Sequence, residues 1–321
     1  MSTPRTWIPD VLDGYEQTTL QLPDAPDGAV EVVVVRKASA VPTTQAVLYI
    51  HGFGDYFFQT HLADFFEERG VRFYAVDLRR HGRSLRSHQH PNTTDDIDEY
   101  LADTAAAVDL LRDEEGVQWL CLHGHSTGGL VAVVFADRGR NRMKVDAVLL
   151  NSPFLDMNLP AWQERALEPV LAGVGRFLKD VKLPGLSTLY GDSIHVSRNG
   201  EWDFDLAWKP LEGFPARAGW FRAIHRAQGE VARGLNIQQP VLLLHSDHSV
   251  RPTEWSDELL RADIVLDVDD MRRLGPRLGR QVELAEVPDG MHDLVLSSPA
   301  PRALTFALID EWLQRVRPTP H

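Results

Sequence analysis

Short, nearly continuous apolar runs punctuate the chain. They lie at 46–50 (AVLYI), 71–76, 117–122, 145–150 and 240–245, and 282–287 is read as the last strand. Runs of four to eight apolar residues bounded by Gly, Pro or Asp predict strands buried on both faces. Between them the period changes. Ile97, Leu101, Ala105, Val108 and Leu111 recur at helical spacing, and residues 59–69, 130–136 and 301–316 also predict helices. The helix over 59–69 stops at Gly70, and Asp95 is placed to cap the helix over 95–115. Strand alternating with helix predicts a mostly parallel, doubly wound α/β sheet. Two earlier strands, 18–22 and 30–36, flank the Pro/Asp/Gly-rich turn 23–28, which gives about eight strands in all. Residues 1–15 are expected to be an irregular lead-in.

The rhythm stops after Pro153. From 154 to 236 no alternation is legible, although the stretch carries four of the chain's eight tryptophans, Trp162, Trp202, Trp208 and Trp220. Phe154, Phe177, Phe204, Phe214 and Phe221 lie there too. The expected organisation is a core of 1–153 and 237–321 with 154–236 inserted over the sheet. The aromatics of the insertion can form its own small core, line an apolar pocket, or do both.

Composition narrows the functions. The 321 residues carry 33 basic and 46 acidic side chains, a net charge of −13. That balance argues against nonspecific nucleic-acid binding and against docking on anionic membranes. One cysteine, Cys121, allows no intramolecular disulfide framework. No secretory signal and no membrane-length apolar run is visible, so a soluble, cytoplasmic protein is expected. His88 and His90 stand two apart in a basic loop, and His245, Asp247 and His248 cluster after a strand. Neither group has the ligand spacing of a metal site, so no metal or other cofactor is expected.

The chemistry gathers around His123-Gly124-His125-Ser126-Thr127-Gly128-Gly129. A serine between a buried strand and a buried helix, with glycine two positions to either side, is the nucleophile-elbow pattern. The tight turn exposes the Ser126 hydroxyl at a helix N-terminus and leaves the Thr127 N–H for a developing oxyanion. A second oxyanion donor is expected after the 46–50 strand, where Gly52 and Gly54 let the backbone present the Phe53 N–H. Acyl transfer also needs a base and an orienting acid. His123 and His125 stand too close to the elbow, His51 belongs to the glycine loop, and His245 sits inside a strand. His292, in Pro-Asp-Gly-Met-His-Asp after the last strand, is the base candidate. The acid has alternatives. Asp263 precedes His292 by 29 residues, room for one helix and one strand, whereas Asp247 follows a strand directly but lies 45 residues away. Asp257 is a third candidate.

These segments resemble the α/β-hydrolase fold, in its monoacylglycerol lipase and serine-aminopeptidase-like (Hydrolase_4-type) branch. The matching residues are His51-Gly52-Phe53-Gly54-Asp55, Asp77-Leu78-Arg79-Arg80-His81-Gly82-Arg83-Ser84, the elbow, Asp263-Ile264-Val265-Leu266-Asp267 and Gly290-Met291-His292-Asp293. The resemblance implies Ser126 as nucleophile, His292 as base, Phe53 and Thr127 as N–H donors, and Asp263 at the start of a D-x-V-x-D-like stretch as acid. This chain departs from the pattern by inserting about residues 247–262 before Asp263. A looser resemblance is to hydrolases of monoalkyl phthalates.

The expected activity is therefore hydrolysis of medium-chain or aromatic monoesters through an acyl-enzyme, with a small-molecule ester as partner. An aminopeptidase or amidase is the alternative. It would need an acidic pocket for the substrate ammonium, for which Glu164, Glu168 and Asp203 are candidates. A catalytically silent ligand-binding protein is a third reading. The basic residues Arg176, Lys179, Lys182, Arg198, Lys209, Arg217 and Arg222 of the insertion are expected to be solvated. One reaching the pocket would favour a substrate with a free carboxylate beside its ester.

Overall fold

The computed structural model describes residues 5–39, 41–157, 179–182 and 188–319. Among these, nine strands form one sheet in the order β1-β2-β3-β5-β4-β6-β7-β8-β9. They are β1 Ile8–Pro9, β2 Tyr15–Ala25, β3 Gly28–Lys37, β4 Gln45–Ile50, β5 Arg72–Asp77, β6 Trp119–His125, β7 Ala147–Asn151, β8 Val241–Ser246 and β9 Val282–Val287. From β5 to β9 the neighbours run parallel, and β1, β2 and β3 add an antiparallel edge. The ninth strand comes from the N-terminal stretch expected to be irregular: Ile8 and Pro9 pair with Gln17 and Glu16. Two residues carry no period, so pattern could not reveal it. The β2–β3 hairpin is also longer than its apolar residues, because polar positions at its outer end still pair.

The helices are α1 Thr60–Glu67, α2 Ile97–Asp109, α3 Thr127–Arg138, α4 Thr188–Ile194, α5 Ala218–Arg233, α6 Val268–Leu274 and α7 Pro299–Val316. Asp96 rather than Asp95 caps α2, its carboxylate accepting from the Asp98 N–H at 3.1 Å. The helix then widens into a π turn, Leu110–Glu114. Helix α3 is apolar all round, and Thr127 to Ala136 are all buried, as expected of a helix enclosed by its neighbours.

Alternate residues of the central strands feed two cores. Ala46, Leu48, Ile50, Leu120 and Leu122 pack under α2, α3 and α5, while Val47, Tyr49 and Cys121 pack under α1 and α7. Cys121 stands in register between Val47 and Ala147, fully buried, and burial pushes its thiol pKa up. The basic loop after β5 is neutralised from inside. Arg79 forks onto Asp103, and Arg83 reaches both Asp10 and Asp77. No described helix is long and apolar enough to cross a membrane.

Candidate active site

Parallel strands align their carboxyl ends on one edge, where α/β sheets gather their functional loops. Ser126 emerges there, between β6 and α3. Its backbone sits at φ 53° and ψ −119°, a conformation that costs an L-residue of order 1–3 kcal/mol and persists only where surroundings enforce it. Four backbone hydrogen bonds do so. The Ser126 N–H donates to Asn151 O (3.0 Å), and its carbonyl accepts from the N–H groups of Gly129 (2.9 Å), Leu130 (3.2 Å) and Phe154 (2.9 Å). The flanking glycines are needed for space. A Cβ on Gly128 would lie 2.2 Å from Ile50 O, and one on Gly124 would lie 2.4 Å from Gly128 O.

The loop after β4 closes over the serine. A Cβ on Gly52 would approach the Ser126 Cβ to 3.1 Å, and Gly54 turns the chain at φ 63°. His51 pins this loop. Its Nε2 accepts from the Leu78 N–H at 3.0 Å, which leaves Nδ1 to donate to Gly52 O at 2.8 Å. Phe53, between the two glycines, stacks obliquely on Trp220, with centroids 4.3 Å apart. Thr127 is the first residue of α3, a position whose N–H has no intrahelical acceptor.

His292 Nδ1 and Asp263 Oδ2 are 2.9 Å apart, both side chains buried. The other Asp263 oxygen accepts from the N–H groups of Val265 (2.9 Å) and Leu266 (2.8 Å). The segment inserted at 247–262 loops out and returns: Asp263 N donates to His248 O, and Val250 N donates to Asp263 O. Asp247 points elsewhere, to His248 Nδ1 at 2.8 Å and the Asp289 N–H at 3.2 Å. Asp257 is exposed in a 3-10 turn. Ser126 and His292 line one pocket of about 70 Å³ with Phe53, Asp55, His125, Tyr190, Phe204, Lys209 and Phe214.

The family described as serine aminopeptidase, S33 (Hydrolase_4) matches residues 42–299. The chain belongs to this family. A curated relative, monoacylglycerol lipase of Mycolicibacterium smegmatis, is 28% identical over 204 residues, 63% of this chain and 69% of that protein. Among solved structures, a soluble variant of monoglyceride lipase from Saccharomyces cerevisiae matches with a TM-score of 0.70 at 18% identity, covering 99% of this chain and 97% of that one. The Paleococcus ferrophilus monoacylglycerol lipase matches at 0.66 and 20% identity, over 87% of this chain and 97% of that one. The fold is that of the α/β-hydrolases.

In this S33-family chain the aromatics between residues 154 and 236 divide. Phe204 and Phe214 line the pocket, and Trp220 backs Phe53. Trp202 stacks on His61 and donates to Leu296 O, while Trp208 meets Tyr56 edge-on. Phe154 and Phe221 pack against the larger core. Trp162, Glu164, Glu168, Arg176 and Phe177 lie outside the described residues. Asp203 is exposed, 3.6 Å from His195. Of the basic residues, Lys179 pairs with Asp95, Arg198 lies against Asp192 and Arg217 bonds Asp180 O. Lys209 turns inward, its Nζ 2.7 Å from Asp55 Oδ1.

Several site residues carried little signal in the sequence. Asp293 accepts from Asn151 Nδ2 (2.7 Å) and Gln59 Nε2 (3.3 Å), tying the residue after His292 to the ends of β7 and the β4–α1 loop. His125, set aside for its closeness to the elbow, lines the pocket with its ring 5.0 Å from that of His292. Burial, and then the neighbouring His292, hold the His125 pKa well below the ordinary histidine value.

Proposed function

We propose that this protein is a serine carboxylic-ester hydrolase that cleaves medium-chain or aromatic monoesters through an acyl-enzyme. The observation that carries the reading is the buried Asp263–His292 pair, whose histidine shares one pocket with Ser126 on its strained turn. Ser126 Oγ attacks the ester carbonyl while His292 Nε2 takes its proton. Asp263 fixes the tautomer through Nδ1 and stabilises the imidazolium. The Phe53 and Thr127 N–H groups receive the oxyanion. His292 then protonates the leaving alcohol, and water, deprotonated by the same imidazole, releases the acid. Residues 154–236 serve as a lid. The monoacylglycerol and monoglyceride lipase names of its relatives agree with a monoester substrate.

The wall contributed by Phe204, Leu211 and Phe214 supports an apolar acyl or aryl group. Burying one methylene is worth ~0.8 kcal/mol, so kcat/KM for soluble p-nitrophenyl esters should climb up to about fourfold per carbon from acetate until the pocket fills. The series is measured below the micellar limit, beside aminoacyl anilides. A maximum at acetate, or faster turnover of the anilides, would overturn this substrate assignment.

A further inference from the structure

We propose that Lys209 occupies, with the chain's own ammonium, a cation site inside the pocket, and that it thereby makes the pocket exclude cationic substrates. The inference rests on the ester-hydrolase reading above and names the substrate class that the site refuses. Lys209 Nζ lies 2.7 Å from Asp55 Oδ1 and within 5.2, 5.5 and 5.8 Å of the ring centroids of Phe58, Phe204 and Tyr190. A carboxylate with aromatic faces around one point is the arrangement that holds an ammonium group. Asp55 and Lys209 are both buried, and both line the pocket that holds Ser126. The second Asp55 oxygen is buried with no hydrogen-bond partner among the described residues and lies 3.9 Å from His125 Nδ1.

The charges around this point decide what Lys209 does. Asp55, Asp263 and Asp293 bring three carboxylates to the His125–His292 cluster. An entering carboxylate would meet their field, and Lys209 is already matched to Asp55. In this proposal the pocket lysine faces the chain's own carboxylate in place of one on the substrate. A cationic substrate would suit that field, but its natural counter-ion is engaged by Lys209. A neutral ester meets neither obstacle. An aminopeptidase needs a place for the substrate ammonium, and in this pocket the chain fills that place itself.

The test uses two esters of equal shape that differ in charge, butyrylcholine and 3,3-dimethylbutyl butyrate. The wild-type protein should prefer the neutral ester by about tenfold or more in kcat/KM, and Lys209→Met should move the ratio about tenfold towards choline. Asp55→Asn added to Lys209→Met should abolish that gain. In parallel, methylammonium chloride should raise the melting temperature of Lys209→Met above that in equal sodium chloride, and should not do so for the wild type. A lysine that only braces the lid would lower stability without changing either the ester ratio or the response to methylammonium. Equal rates on the two esters by the wild type would overturn the proposal, as would an unchanged ratio in a folded Lys209→Met. If the variant does not fold, the wild-type ratio decides. If the wild type hydrolyses neither ester, the ester reading fails and the methylammonium response alone decides whether the cation site exists.

Discussion

Ser126→Ala should fold and lose esterase activity almost completely, by roughly 10⁶-fold in kcat. The change removes one oxygen, leaving no atom to form the acyl-enzyme. The turn itself is held by backbone bonds to Asn151, Gly129, Leu130 and Phe154, none of which uses the hydroxyl. Alanine must still adopt φ 53°, so a small loss of stability is expected and a collapse is not. A fluorophosphonate probe should label the parent and miss the variant. Equal labelling of both would remove Ser126 from the mechanism.

Asp263→Asn is the second large effect, expected at roughly 10²–10⁴-fold in kcat. The two oxygens of Asp263 have different partners. One accepts from the Val265 and Leu266 N–H groups, and the other faces His292 Nδ1. An asparagine in the same pose must turn its oxygen to the two backbone donors. Its NH₂ then points at Nδ1 and drives the proton to Nε2, which removes the base that Ser126 needs. The imidazolium also loses its counter-ion. Asp247→Asn should cost far less, because Asp247 bonds His248 and the Asp289 N–H. Rate measurements on both variants, with folding checked by circular dichroism, decide between them. The opposite ranking would make Asp247 the acid.

The sheet was legible because its central strands are buried on both faces. Residues 46–50, 73–76 and 241–244 are written almost wholly in apolar letters, and such runs survive without any knowledge of neighbours. The elbow was legible for a related reason: close backbone approach at Gly124 and Gly128 admits no other residue. What stayed hidden depends on partners distant in the chain. Ile8–Pro9 becomes a strand only because Glu16 and Gln17 pair with it. Helix α5 does show apolar residues at helical spacing, Trp220, Ile224, Ala227 and Val231, but the charged and polar residues between them and the glycines Gly219 and Gly229 dilute the period. Lys209 is the clearest case. In Trp-Lys-Pro it looks like any surface lysine, and nothing local reports that Asp55 will face it. For the acid, spacing left three aspartates open. The return of the chain beside residues 248–250 is what brings Asp263, and not Asp247, against His292.

The solitary thiol of Cys121 gives this molecule an internal clock. It stands in the middle of β6, between Val47 and Ala147, with no solvent exposure. Movements of the loops above Ser126 cannot uncover it, because the sulfur lies on the sheet face that α1 and α7 cover. Alkylating reagents should therefore leave the native chain untouched and mark it only when the layer of α1 and α7 comes away from the sheet. The pace of that marking would measure the opening of this core, separately from any motion of the loops around Ser126.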